Sequence, residues 1–118
     1  MDAIIDGRLQ FLMEVTNSRH ARLADIMAKE AARVLGIEPP WIRFFYRSPA
    51  ESRGNSALCG YATDDEICIA DDLTEKEVLL TVLHECRHIF QRRSPSWMGR
   101  SREIRERDAR LFELSWPR

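Results

Sequence analysis

The run His84-Glu85-Cys86-Arg87-His88 constrains this chain more than any other feature. Two histidines four residues apart lie on one helical face, one turn from each other, so both imidazoles can reach a single ion. The pattern therefore asks for a helix here and for a third donor from elsewhere. Zinc suits imidazole nitrogen, and a catalytic zinc site uses three protein ligands plus an open water position. Glu85, beside the first histidine, is then placed to take a proton from that water. The competing reading is an exposed helix that happens to carry two histidines. Apolar residues Val78, Leu79, Leu80, Val82, Leu83, Ile89 and Phe90 flank the motif and argue for a helix running through a core. Unpaired histidines are costly to keep there.

The boundaries of that helix are legible. Thr74-Glu75-Lys76-Glu77 fits a capping box, in which the threonine hydroxyl and the glutamate three residues on satisfy each other's backbone donors. The helix is expected to reach about Gln91 and to end at Ser94-Pro95-Ser96. Upstream, Ile4, Ile5, Leu9, Leu12 and Met13 recur at helical spacing, and Ser18 is a candidate cap for a second helix. That helix takes its apolar stripe from Ala21, Leu23, Ala24, Met27, Ala31, Ala32, Val34 and Leu35, with Gly36 as its C-cap. Pro39 and Pro40 stop any helix, and Trp41 to Tyr46 reads as a strand. Arg47 to Asn55 is a polar loop. Ala57–Thr63 and Glu66–Ala70 then flank an Asp64-Asp65 connection, which predicts a β-hairpin. A last helix is expected from about Ser101 to Leu114.

This order of elements makes an α+β fold: a small mixed or antiparallel sheet of about three strands, an N-terminal helix, the HExxH helix and a C-terminal helix. With 118 residues, no repeat and no long linker, residues 1–118 form a single domain. Cys59, Cys68 and Cys86 form no CxxC pair, which argues for free thiols in a reducing, cytoplasmic compartment. Asp2 and Asp6 interrupt the first apolar stretch, so no secretory leader is expected, and no stretch approaches the ~20 apolar residues of a membrane span. Beyond His88 the chain is rich in arginine. A solvated helix face laced with i,i+3 and i,i+4 pairs is preferred there over a nucleic-acid surface.

The third metal ligand needs its own argument. His20 lies far upstream and reads as an ordinary helix-face histidine. The carboxylates of the last helix are the candidates: Glu103, Glu106, Asp108 and Glu113. Periodicity puts Asp108 on the face shared by Ile104, Leu111, Phe112 and Ser115, whereas Glu106 and Glu113 share another with Arg110. A carboxylate in a buried stripe needs a partner, and a metal would provide one. Asp108 is therefore the first choice and Glu106 the second. Cys86 points away from the two histidines and reads as a buried thiol. Trp97 and Met98 read as a hydrophobic plug in preference to a wall of the site, and Trp41 and Trp116 as core or partly buried.

With its HExxH helix and the stretch Glu106-Arg107-Asp108-Ala109-Arg110-Leu111-Phe112, the sequence resembles the gluzincins, zincin metallopeptidases with an acidic third ligand on a later helix. The likeness is greatest to minigluzincins and to peptidases of the ImmA/IrrE type. It covers most of the chain in element order but rests on those two short motifs. Asp108 lies 20 residues beyond His88 (108 − 88), which is similar to the gluzincin spacing. The family ligand is usually glutamate, so either the last helix sits closer to the metal or Glu106 reaches in. The resemblance implies one zinc ion and hydrolysis of peptide bonds by Glu85-activated water. It also implies a peptide or protein substrate added as a strand at the first hairpin arm, around Leu58, Gly60 and Tyr61. Tyr46, Tyr61 and several arginines are open as oxyanion helpers. The alternative is a zinc-binding but non-proteolytic interaction module of phage or mobile-element type.

Overall fold

The computed structural model describes residues 20–52 and 59–117. The first expected helix, at Ile4–Met13, and Leu58 lie outside the described residues. Helix α1 covers residues 20–35, and strand β1 follows at Trp41–Phe45. A single turn, α2, occupies Pro49–Ser52 within the expected polar loop. The hairpin strands are β2, Gly60–Ala62, and β3, Glu66–Ala70. Helix α3 runs Glu75–Arg93, a 3-10 turn spans Pro95–Trp97, and α4 runs Arg102–Ser115. The fold is α+β, as the sequence implied. Among the described residues no helix is long and apolar enough to cross a membrane.

The sheet is mixed, in the order β1-β3-β2, with β1 parallel and β2 antiparallel to the central β3. Centrality explains why Ile67, Cys68, Ile69 and Ala70 are all buried although they alternate between the two faces. The face with Ile67 and Ile69 packs against α3, and both isoleucines join Val78, Val82, Cys86 and Ile89 in the core. The β2 backbone comes close to α3 at Gly60. A Cβ there would stand 2.5 Å from Thr81 Cγ2 and 2.8 Å from the Cys68 carbonyl oxygen. Any residue but glycine would push the strand off the helix.

Local chemistry sets the element ends. α1 closes at Gly36, whose φ of 71° suits glycine. Ile37 N–H donates to the Ala32 carbonyl at 3.0 Å and Gly36 N–H to that of Arg33 at 3.4 Å, the paired bonds of a Schellman motif. Buried Ala24, Ala28, Ala31 and Ala32 bring α1 close to the core, while Val34, placed in its stripe by periodicity, is exposed. Thr74 and Glu77 form the expected capping box at α3, through bonds of 3.0 and 3.3 Å. Trp41, expected as core or partly buried, is 74% exposed at the start of β1, an edge strand among the described residues.

Helix α4 departs from its sequence reading in phase. Ile104 and Leu111 are exposed, and the buried residue is Ala109. At 100° per residue, Phe112 and Trp116 fall on one side of Ala109, Glu106 and Glu113 on the other, and Asp108 about a quarter-turn away. Small Ala109 lets α4 approach α3 closely. The larger apolar residues had suggested a different inward face.

Candidate metal centre

His84 and His88 project from the middle of α3 toward α4, and both are about 15% exposed at the side chain (15% and 16%). Their Nε2 atoms are 3.2 Å apart. The Glu106 carboxylate reaches both, with Oε2 at 3.0 Å from His84 Nε2 and Oε1 at 3.0 Å from His88 Nε2. His84, His88 and Glu106 thus form a group that could hold a metal ion. With ligand bonds of about 2.0–2.1 Å, a coordination tetrahedron has edges of about 3.3–3.4 Å. The observed separations are close to that.

The outer nitrogens of both rings are held. His84 Nδ1 lies 2.8 Å from Glu113 Oε1, and His88 Nδ1 lies 2.9 Å from Gln91 Oε1. Gln91 cannot be turned around, because its amide nitrogen donates to the Arg105 carbonyl at 2.9 Å and to Asp108 Oδ2 at 2.8 Å. Facing a carboxylate and a carbonyl, each Nδ1 must donate, which leaves Nε2 as the basic nitrogen of a neutral ring. Two bare nitrogens and a carboxylate at these distances repel one another unless a cation lies among them, either added protons or a metal ion. The donor set of two imidazoles and one carboxylate could hold a metal ion, and the outer hydrogen bonds are of the kind that orient metal-bound histidines.

Asp108, preferred as third ligand from the sequence, is not part of this group. Arg87 Nε donates to its Oδ2 at 2.6 Å and Arg87 Nη2 to its Oδ1 at 3.2 Å, while Gln91 takes the same Oδ2. Asp108 is a structural partner of Arg87 in this arrangement. The reason is the α4 phase: with Ala109 inward, Glu106 and Glu113 face the histidines and Asp108 faces Arg87. Glu106, the second choice, stands beside them. Glu113 was only a candidate ligand, and the role of Gln91 was missed. Glu113 lies seven residues, two turns, beyond Glu106, so the pair could have been read as one face meeting the motif. Gln91 carried a signal too, lying one turn beyond His88.

Glu85 opens onto the same place. Burial pushes its carboxyl up from the ordinary value, against the pull of His88, His84 and Arg92. Burial also works to raise Glu106, but the charge of His88 and the hydrogen bond and charge of His84 hold it below its usual value. Cys86 is fully buried, and burial pushes its thiol up to about 12. A cleft of about 430 Å³ runs beside Glu85, His88 and Glu106, bounded by edge strand β2 and by Trp97 and Met98. Trp97 and Met98 are therefore walls of the site. A second hollow of about 500 Å³ reaches His84, Glu85, Glu106 and Glu113 from the other side.

Of the expected peptide-docking residues, Gly60 and Tyr61 line the first cleft. The Tyr61 ring packs 5.9 Å from Phe45, and its hydroxyl donates to the Cys68 sulfur, which is the main cause of its raised pKa. Tyr46, the other aromatic candidate for oxyanion support, is 71% exposed and is not among the residues lining either hollow.

No family model matches the chain, and the search of curated proteins and the search of solved structures likewise gave no match.

Proposed function

We propose that the chain is a zinc-dependent metallopeptidase of gluzincin type, with His84, His88 and Glu106 as ligands and Glu85 as general base. The observation that carries this reading is the Nε2–Nε2–carboxylate group, with each Nδ1 held from behind and Glu85 opening onto the same cleft. Zinc bound there would supply a Lewis acid for a peptide carbonyl and a water acidic enough to react near neutral pH.

The remaining work falls to side chains. Glu85 accepts the proton of the attacking water and passes it to the leaving amine. Glu113 and Gln91 hold the rings in the tautomer that presents Nε2. β2 is an edge strand and lines the cleft, so an extended peptide can add beside Gly60–Ala62. The arginines of the cleft are the nearest candidates for steadying a developing oxyanion. All three cysteines are free, which fits a reducing, cytoplasmic setting.

Elemental analysis of the wild type, His84→Ala and Glu106→Ala, followed by incubation of zinc-loaded wild type and Glu85→Gln with a peptide mixture, tests the proposal. One zinc in wild type, lost in His84→Ala, with cleavage lost in Glu85→Gln, is the expected result. No zinc after reconstitution ends the metallopeptidase reading. Zinc with no cleavage leaves a non-proteolytic zinc-binding module.

A further inference from the structure

The cleft beside Glu85 is lined by four arginines: Arg92 on α3, Arg100 before α4, and Arg102 and Arg105 in the first turn of α4. Among the described residues the only carboxylates lining it are Glu85 and Glu106, both at the candidate metal centre. Several arginines elsewhere meet carboxylates, Arg33 with Glu30, Arg43 with Glu66, Arg47 with Asp72 and Arg87 with Asp108, and Arg93 donates to the Glu38 and Asp64 carbonyls. Among the described residues none of the four cleft arginines forms a salt bridge. Arg92 acts on Glu85 only through charge, and Arg100 stacks 5.5 Å from the Trp97 ring. The Nε of Arg105 is buried and has no hydrogen-bond partner among the described residues. A buried guanidinium nitrogen with no acceptor is unfavourable, so an acceptor beside this half-buried arginine would be welcome.

Position also matters. Ser101 caps α4, accepting from the Ile104 N–H at 3.2 Å, so Arg102 and Arg105 leave the positive end of a helix dipole. Like charges gathered at that end destabilise the isolated fold. Their gathering in a cleft that strand β2 also lines matches a negatively charged chain lying beside β2. Planar guanidinium groups recognise carboxylates with paired hydrogen bonds.

We infer that the cleft selects an acidic peptide, one whose Asp or Glu side chains meet Arg92, Arg100, Arg102 and Arg105 while its backbone adds to β2. This rests on the reading of the cleft as a peptide site. A peptide is favoured over a nucleic acid because β2 offers backbone hydrogen bonds in the cleft and Trp97 and Met98 offer apolar surface for side chains.

The test uses the full chain as zinc-loaded Glu85→Gln, so that binding is read without turnover. The probes are a fluorescein-labelled peptide with glutamate at alternate positions, its glutamine counterpart and a labelled thymidine oligonucleotide of equal charge. Fluorescence anisotropy should show the glutamate peptide binding about tenfold tighter than the glutamine one, the product of two or three partly exposed pairs each worth a factor of about 2–5. The advantage should shrink as salt is raised. It should fall to about twofold when Arg100→Gln and Arg102→Gln are added, with circular dichroism unchanged. Equal affinity for the two peptides, or an advantage that survives the arginine changes, overturns the inference. Tighter binding of the oligonucleotide than of the glutamate peptide overturns it in favour of a nucleic acid. Zinc-loaded wild type keeps the two proposals apart. Cleavage of both peptides alike leaves the peptidase reading and removes this one, while acid-selective binding without cleavage does the reverse.

Discussion

Arg87 Nε stands 2.6 Å from Asp108 Oδ2, so this carboxylate of α4 is spent on a guanidinium beside the histidines and not on the histidines themselves. The guanidinium also lies 4.5 Å from the Phe90 ring centroid and 5.5 Å from that of Phe112, which hold it between α3 and α4. Replacing Asp108 should therefore act on stability and leave the metal group standing. Asp108→Asn is expected to lower the unfolding free energy by about 1.5–3 kcal/mol, the usual range for hydrogen bonds to charged groups. It should retain one zinc, whereas Glu106→Gln should lose most of its zinc affinity with little loss of stability. Paired urea melts and metal titrations check this. Zinc lost in Asp108→Asn and kept in Glu106→Gln would return Asp108 to the ligand set.

The same pair predicts an acid limb. Burial would raise the Asp108 carboxyl, but hydrogen bonds from Arg87 and Gln91 and the charge of Arg87 hold it below the ordinary value. A folded pKa below the unfolded value of about 3.9 means that folding favours the ionised form. Its contribution is present above that unfolded value and is lost as pH falls through the folded one. Melting temperatures of wild type and Asp108→Asn should differ at pH 7 and converge in acid, below the pH at which an ordinary aspartate protonates. A constant gap down to that pH would mean that the pair contributes nothing through ionisation.

Gly60 separates packing from chemistry. An added Cβ meets Thr81 Cγ2 at 2.5 Å and the Cys68 carbonyl at 2.8 Å, so Gly60→Ala should cost about 1–3 kcal/mol, as overpacking does. Adding Thr81→Ser, which removes Cγ2, should recover part of the loss and not all, since the backbone oxygen remains. Thermal melts of the single and double variants decide it, and an unaltered melting temperature in Gly60→Ala would mean that β2 stands farther from α3.

Thiol reactivity should divide the cysteines. Cys59 is exposed, whereas Cys68 and Cys86 are buried, with the Cys86 thiol pushed up to about 12. Since the thiolate is the reactive form, Cys59 should label rapidly at about pH 8 and the other two only on unfolding. Mass spectrometry of the folded protein after brief alkylation reads this directly. Modification of Cys86 on the time scale of Cys59 would show that the centre of α3 opens in solution.

The parts of the fold visible in the sequence were those with local causes. The capping box at Thr74, the glycine that ends α1 and the two-residue Asp64-Asp65 turn each depend on neighbours a few residues away. The His84–His88 pairing was equally local, being set by helical pitch. What escaped was relational. The phase of α4 follows from how closely small Ala109 lets it approach α3, and no residue type announces that. Reading Ile104 and Leu111 as inward turned the helix and put Asp108 where Glu106 stands. Trp41 failed for a related reason, since burial depends on which strand is central and β3 took that place.

Glu113 is the strongest test of how the centre is built. Its carboxylate lies 2.8 Å from His84 Nδ1 and is 16% exposed, so it fixes the ring without touching the Nε2 group. Partners of this kind typically change metal affinity by 10–100-fold when removed. Glu113→Gln keeps a carbonyl that can accept from Nδ1 but loses the charge, whereas Glu113→Leu loses both. Zinc affinity measured by competition with a chelator should therefore fall in the order wild type, Glu113→Gln, Glu113→Leu, with the last near the upper end of that range. The zinc-induced rise in melting temperature should follow the same order, because binding to the folded state alone stabilises it in proportion to the logarithm of affinity. Equal zinc affinity in all three would mean that His84 is oriented by the helix alone, and that the Glu113 contact is incidental.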